Sequence, residues 1–291
     1  MHGRPAPFHF TPSPQLYPFE SRFFESSAGR LHYVEQGRGQ PLLFLHGNPT
    51  WSFLYRHLIS TLSGRFRCIA PDQLGFGLSD RPEGFGYTPA EQAAAIGELI
   101  GALDLRELIV MCHDWGGPVA LSAASSAPDR IAGLVLGNTW FWPSNAYFGA
   151  FSRVMSSRPM QRQILQRNLF VERFIPAGVI RELSDEEMDH YRGVQPSPEA
   201  RVAVAEYPRQ IRLARAWLAE LEPRVRRELR HKRVLITWPM RDTAFRYRSN
   251  APRMRAAFDD VEEVRFQDAK HYFQEDVSGE VAEAILRRFP P

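Results

Sequence analysis

Cysteine is scarce in this 291-residue chain: there are two, Cys68 and Cys112, each in or beside an apolar strand-like run. That count excludes a disulfide framework and, with no cluster of histidines to accompany it, a structural metal site, so both read as reduced core residues. Long apolar runs are missing too. Nothing approaches the roughly 20 residues of a membrane span, and the first residues lack the apolar core of a signal peptide. Charge of one sign is nearly balanced by the other, 36 basic against 33 acidic residues for a net +3, which gives no footing for nucleic acid or an acidic membrane as partner. The one dense basic stretch, 224–233, is interrupted by acidic and apolar residues at helical spacing and carries no stacking aromatics, so it reads as a solvated helix face. No repeat or low-complexity segment occurs. The expectation is a soluble, cytoplasmic globular protein without metal or cofactor.

What is present begins with an aromatic arm. Residues 1–20 contain five prolines, which rules out a continuous helix and predicts an extended segment lying on the surface or on a neighbouring subunit. A hairpin follows around Ala28-Gly29, then a buried strand Leu42–Leu45 ending in the sharp His46-Gly47-Asn48-Pro49 loop. Phe66–Ala70 is the next strand. Thr88-Pro89-Ala90-Glu91 opens a helix, with threonine as N-cap, proline just inside and glutamate three residues on. Strand and helix then alternate as in a parallel sheet with right-handed crossovers. From 144 to 225 the apolar residues fall at helical spacing with no strand between them, which predicts a helical cap inserted into a core made of 21–143 and 226–291. The fold class is α/β, a mostly parallel eight-stranded sheet with helices on both faces. Strand character returns at 234–238 and 261–266, and Asp276 to Phe289 reads as a terminal amphipathic helix.

The chain is organised around 108–123, LIVMCHDWGGPVALSA. Five apolar residues predict a strand buried on both faces. Asp114 follows, then Gly116-Gly117 and a small-residue helix with Pro118 near its start. A side chain on such a strand-to-helix turn is held above the sheet edge, and the glycines let the helix begin against the strand. This is a nucleophile elbow carrying a carboxylate. An aspartate before a helix is also a common N-cap, so the elbow reading needs helpers at the carboxyl ends of later strands, where open α/β sheets build their sites. Asp242, after the strand ending at Trp238, and His271, after the strand ending at Phe266, complete the order nucleophile, acid, histidine. Taken alone, Asp242 reads as a turn aspartate before it reads as an acid. His46 and His113 lie beside sharp turns, where bonding loop backbone is the expected job, and His190 in the cap has no evident partner.

Five segments, 46–51 (HGNPTW), 72–79 (DQLGFGLS), 113–117 (HDWGG), 168–172 (NLFVE) and 271–276 (HYFQED), resemble the haloalkane dehalogenases, a branch of the α/β-hydrolases, and the resemblance covers nearly the whole chain. It implies Asp114 as nucleophile, His271 as base, Asp242 as the acid behind it, and Asn48 with Trp115 as donors to the leaving halide. In one subgroup the acid is a glutamate after the strand preceding the cap. Here that place holds Asn138, so the combination is similar to the third subfamily. Phe170 is similar to a residue lining the substrate pocket.

The chemistry is consistent with those roles. An ordinary aspartate, pKa about 3.9, is ionised at neutral pH and attacks an sp³ carbon without a base. The departing halide needs N–H donors, which the Trp115 indole and Asn48 amide supply. His271, oriented by Asp242, then takes a proton from the water that hydrolyses the ester, and the oxyanion lies against the backbone N–H groups of Asn48 and Trp115. The partners expected are a small halogenated aliphatic substrate, water and the halide ion; self-association is left open. An epoxide hydrolase uses the same ester but polarises its substrate with two cap tyrosines, for which Tyr147, Tyr191 and Tyr207 are available; Asn48 speaks for a halide. Fluoroacetate dehalogenases hold their substrate with arginines near the nucleophile, where this chain has Trp115. A non-catalytic receptor on this fold is expected to lack one of Asp114, His271 or Asp242.

Overall fold

The computed structural model of the chain describes residues 10–290. Of the N-terminal arm, residues 1–9 lie outside the described part. Eight strands, β1 (Ser21–Glu25), β2 (Arg30–Gln36), β3 (Gln40–Leu45), β4 (Phe66–Pro71), β5 (Leu108–Asp114), β6 (Ile131–Thr139), β7 (Arg233–Pro239) and β8 (Asp260–Phe266), form one sheet in the order β1-β2-β4-β3-β5-β6-β7-β8. β1 and β2 pair antiparallel, as does β2 with β4, and every later pair is parallel. The twelve helices among the described residues are α1 (Arg56–Leu62), α2 (Pro89–Ala102), α3 (Gly116–Ser126), α4 (Ala146–Met155), α5 (Arg158–Arg167), α6 (Ile175–Ala177), α7 (Asp185–Gly193), α8 (Val202–Leu213), α9 (Arg215–Glu228), α10 (Tyr247–Arg255), α11 (Phe273–Asp276) and α12 (Ser278–Arg288).

Side chains alternate across a strand, and the core divides accordingly. Leu43, Leu45, Val110, Cys112, Leu134 and Leu136 face a cluster closed by α2, α3 and α9. Leu42, Phe44, Ile109, Met111 and Val135 face a second cluster closed by α1 and α12. Both faces being covered explains why the central strands are apolar without alternation. Both cysteines are buried and unbonded. α2 starts as the sequence requires, with Thr88 and Glu91 capping each other.

All helices from α4 to α9 lie between β6 and β7. Within this insertion α4 packs on α8 and α5, while α9 returns to pack on α3. The insertion is bolted to the core by buried charge. Arg56 on α1 bonds Glu275 at 2.6 and 2.8 Å and Glu187 on α7 at 2.7 Å, Arg181 binds the same two carboxylates, and the Tyr191 hydroxyl donates to Glu275. The arm crosses the same seam: Ser13 N–H donates to His190 Nε2, and the Tyr17 and Ser52 hydroxyls bond each other. His190 therefore has partners that the sequence did not reveal.

The C-terminal helix expected from Asp276 to Phe289 is α12, which starts at Ser278; Asp276 itself ends the short α11, its carboxylate accepting the N–H groups of Ile180, Arg181 and Lys270.

Candidate active site

Asp114 ends β5 with φ +51°, the left-handed region that a non-glycine residue enters only under constraint. The constraints are local. Thr139 on β6 donates its hydroxyl to the Asp114 carbonyl at 2.6 Å, and the β5–β6 register slips at His113/Asp114. α3 follows at once, so close that a Cβ at Gly116 would strike the backbone of β3 and one at Gly117 the Thr139 side chain. The carboxylate is thereby lifted off the sheet edge while remaining 8% exposed.

Across from it runs the loop after β3. The backbone N–H of Asn48 donates to Asp114 Oδ1 at 2.9 Å, and the Trp115 N–H also reaches the carboxylate. Gly47 is needed here, since a Cβ would run into that carboxylate. His46 holds the loop, bonding the Gly47 carbonyl through Nδ1 and accepting the Gln73 N–H at Nε2. His113 does similar work, bonding the His271 carbonyl at 2.9 Å. Burial pushes the pKa of both histidines down and keeps them neutral.

His271 stands on the loop after β8 with Nε2 3.9 Å from Asp114 Oδ2 and Nδ1 3.0 Å from Asp242 Oδ2. Its ring lies flat against Phe245, centroids 5.7 Å apart and planes at 16°. Asp242, 5% exposed, uses its other oxygen for the Ala244 and Phe245 N–H groups at 2.7 and 3.2 Å. Asn138 joins them from the end of β6, its amide donating to Asp242 Oδ2 at 2.6 Å and to the His271 carbonyl at 3.0 Å.

These contacts push the three ionisable groups in different directions. Burial raises the Asp114 pKa above the ordinary carboxylate value, against the pull of His271 and the two backbone N–H groups. The sequence expectation of an unperturbed carboxylate is corrected on this point by the desolvation that the cap and loops impose. Burial acts the same way on Asp242, but there His271, Asn138 and the backbone donors outweigh it and the pKa falls. His271 is desolvated as well, yet the Asp242 charge and hydrogen bond, with Asp114, raise it above the usual 6.5.

The wall opposite is aromatic. Trp115 stacks on Tyr207 of α8, centroids 5.0 Å apart and planes at 26°, and meets Trp140 edge-on at 4.7 Å. Asn48 Nδ2 makes a long bond of 3.4 Å to the Val204 carbonyl of α8. Phe170 is buried in the same apolar cluster as Trp115, Trp140 and Tyr207, in a π-helical turn, Phe170–Phe174. The cap tyrosines are otherwise engaged: Tyr147 is exposed, Tyr191 donates to Glu275, and Tyr207 donates to Gln73. Ligand atoms of His57, Glu187 and Glu275 lie within 4.8 Å of one another, but the guanidinium groups of Arg56 and Arg181 already occupy the place of a cation there.

Asp114, Asn48, Trp115, His271 and Asp242 thus meet at one end of the sheet. Four contributors were not read from the sequence: the Asn138 amide on the acid, Phe245 behind His271, Tyr207 behind Trp115 and the Val204 carbonyl. Only Asn138 carried a signal, its place at the carboxyl end of the strand beside the elbow.

Residues 40–277 match the family described as alpha/beta hydrolase fold. The chain is 54% identical over 281 residues to haloalkane dehalogenase 2 of Mycobacterium tuberculosis, covering 96% of this chain and 98% of that protein. Among solved structures it is similar to DbjA, with a TM-score of 0.80, 27% identity and coverage of 92% of this chain and 95% of the other. The fold is also that of the haloalkane dehalogenase DatA from Agrobacterium tumefaciens C58, with a TM-score of 0.84 at 23% identity and coverage of 94% and 97%.

Proposed function

The chain belongs to the haloalkane dehalogenases, hydrolases acting on carbon–halide bonds, and on that premise we propose that Asp114 is the nucleophile, His271 the base, Asp242 its orienting acid, and Asn48 with Trp115 the halide donors. The observation that carries this reading is the single carboxylate of Asp114, met on one side by two backbone N–H groups and on the other by the His271–Asp242 pair.

In the first half-reaction Asp114 attacks the carbon bearing the halogen. A C–O bond forms, the carbon–halogen bond breaks with its electron pair going to the halide, and an alkyl ester remains on Asp114. The attack needs no base, and desolvation makes the anion more nucleophilic than an exposed carboxylate. The Trp115 indole and Asn48 amide stabilise the halide. In the second half, His271 Nε2 removes a proton from water, whose oxygen adds to the ester carbonyl carbon. Negative charge appears on a carboxylate oxygen already facing the N–H groups of Asn48 and Trp115, each such donor being worth about 2.7–4 kcal/mol. Collapse releases the alcohol. In that collapse the bond between the ester carbonyl carbon and the alkyl oxygen breaks, the alkoxide takes the proton held by His271, and the Asp114 carboxyl ionises by losing the second water proton, giving alcohol, halide and H⁺.

Phe170 lines the substrate pocket in this proposal, and 144–225 is the cap over a core of 21–143 and 226–291. An epoxide hydrolase needs two tyrosine hydroxyls over the nucleophile; Tyr147, Tyr191 and Tyr207 are placed otherwise. The test is a His271→Ala variant with 1-bromobutane. It should release one equivalent of bromide per site and then stop, with a butyl adduct on the peptide bearing Asp114. Continued bromide release by this variant beyond one equivalent per site at the parent's steady-state rate, or an adduct elsewhere, refutes the assignment.

A further inference from the structure

Three rings surround the His271 imidazole. Phe245 lies nearly parallel to it, centroids 5.7 Å apart and planes at 16°, while His113 and Tyr272 each stand 4.7 Å away at 57° and 81°. Of these three only Phe245 is stacked. It is itself held firmly: it is 3% exposed, its N–H donates to Asp242 Oδ1 at 3.2 Å, and its carbonyl accepts the Trp238 indole N–H at 3.1 Å. Trp140 stacks on its ring at 5.1 Å and 24°, and Phe148 of α4 packs against it at 5.2 Å.

The titratable groups facing His271 are Asp242 from the loop after β7, Asp114 and His113 from the end of β5, and Tyr272 beside it. Burial keeps His113 and Tyr272 neutral. Both aspartates favour the protonated ring, but they do not act together throughout the reaction. Once Asp114 has become an alkyl ester its charge is gone, and the imidazolium formed as water is deprotonated keeps only Asp242 of the two carboxylates, in a desolvated place. An aromatic face within about 6 Å of a cation attracts it through the ring quadrupole, more strongly where water is excluded. The Phe245 face is in that range at the step where the Asp114 charge has been withdrawn.

We propose that Phe245 is a positioning residue for the base: its ring face stabilises the imidazolium that His271 becomes while the alkyl ester is hydrolysed. The inference rests on the reading of Asp114 as nucleophile and His271 as base.

The experiment follows hydrolysis of the butyl ester formed from 1-bromobutane, by rapid quench across pH. It uses the full chain with phenylalanine, 4-fluorophenylalanine or 3,4,5-trifluorophenylalanine at position 245, and Phe245→Leu, with thermal midpoints for all four. Fluorine withdraws charge from the ring face and leaves its size nearly unchanged, whereas leucine removes the face and keeps the place apolar. Expected is an acid limb that moves to lower pH in step with fluorination, by about one unit for the trifluoro ring and for Phe245→Leu. The plateau rate should fall about threefold, since a weaker base accepts the proton less readily in the transition state. The bromide burst should keep the parent rate, and the fluorinated proteins the parent thermal midpoint. An acid limb that stays in place in the fluorinated proteins overturns the inference, even if Phe245→Leu moves it, because the ring would then act through its shape. A burst slowed as much as hydrolysis also overturns it, since the ring would then act on the nucleophile. Ester hydrolysis by His271→Ala at the parent rate overturns the base assignment itself and the inference with it.

Discussion

Replacing Asp242 by asparagine separates the two half-reactions, because this carboxylate touches the base and not the nucleophile. Its four contacts dictate how the amide sits. One oxygen accepts from Ala244 and Phe245 N–H, the other from His271 Nδ1 and Asn138 Nδ2. An asparagine has one acceptor and one NH₂ group. Its oxygen goes to the two backbone donors, since the reverse leaves NH₂ facing N–H twice. NH₂ then points at His271 Nδ1, which becomes an acceptor, and the ring proton moves to Nε2, the atom that has to accept a proton from water. The same change of tautomer in a serine protease costs about 10⁴ in turnover, and steady-state dehalogenation by Asp242→Asn should fall by about 10³ to 10⁴. Alkylation of Asp114 uses no base, so rapid quench should still show one equivalent of bromide per site at a rate within about tenfold of the parent. With the Asp242 charge gone, the pKa of His271 loses its main upward cause, and the acid limb of the residual turnover moves to lower pH. Turnover within tenfold of the parent, or a burst that disappears along with turnover, refutes the assignment of Asp242 as the orienting acid.

Other perturbations follow from the same contacts. In the parent, hydrolysis needs neutral His271, whose pKa lies above 6.5; turnover should fall as pH drops through that value while the bromide burst persists, as quench-flow across pH will show. Gly47→Ala places a methyl against the Asp114 carboxylate and displaces the Asn48 N–H, and kcat should drop by about 10² to 10³, the cost of one oxyanion donor, with near-UV circular dichroism unchanged. Trp115→Phe keeps a ring against Tyr207 but removes the indole N–H, so bromide binding and alkylation should weaken together without a large loss of thermal stability. Glu275→Gln leaves the buried Arg56 guanidinium short of a charge partner and should cost about 3–5 kcal/mol in urea unfolding, whereas Arg106→Ala, which removes one partner of the exposed Asp104, should leave the urea midpoint unchanged.

The fold was legible because its signals are local and repeated. Apolar runs at 42–45, 108–112 and 234–238 fall on central strands, and the loss of strand character after 144 coincides with the insertion. The proximity of the candidate residues was legible where the chain bends sharply, at Asp114 after its strand and at His271 on the last loop. Other parts carry no sequence signal because they arise from packing between distant segments. The Asn48 amide meets a carbonyl 156 residues away, and Phe245 lies on the His271 ring only because the β7 and β8 loops converge. Asp276 is the converse case. It fits the start of the last helix by pattern, but it ends α11 and gives its carboxylate to three backbone N–H groups of distant segments, and the last helix begins at Ser278.

In the proposed mechanism two aspartates with the same intrinsic chemistry take opposite roles because their neighbours differ. Asp242 receives three kinds of donor, the His271 ring, the Asn138 amide and backbone N–H, and its charge is so well satisfied that its pKa is held down; such a carboxylate is a poor nucleophile and a stable counter-charge. Asp114 is equally buried but under-solvated, its pKa pushed up by desolvation that two backbone N–H groups and a histidine 3.9 Å away do not fully offset. An anion held in that condition gains by forming a bond to carbon, which removes the charge, and the ester so formed presents its carbonyl oxygen to the same two N–H groups. In the proposed mechanism the donors that partly stabilise the anion before attack therefore also stabilise the oxyanion of hydrolysis after it, so that the loop bearing Gly47 and Asn48 serves both halves of the reaction.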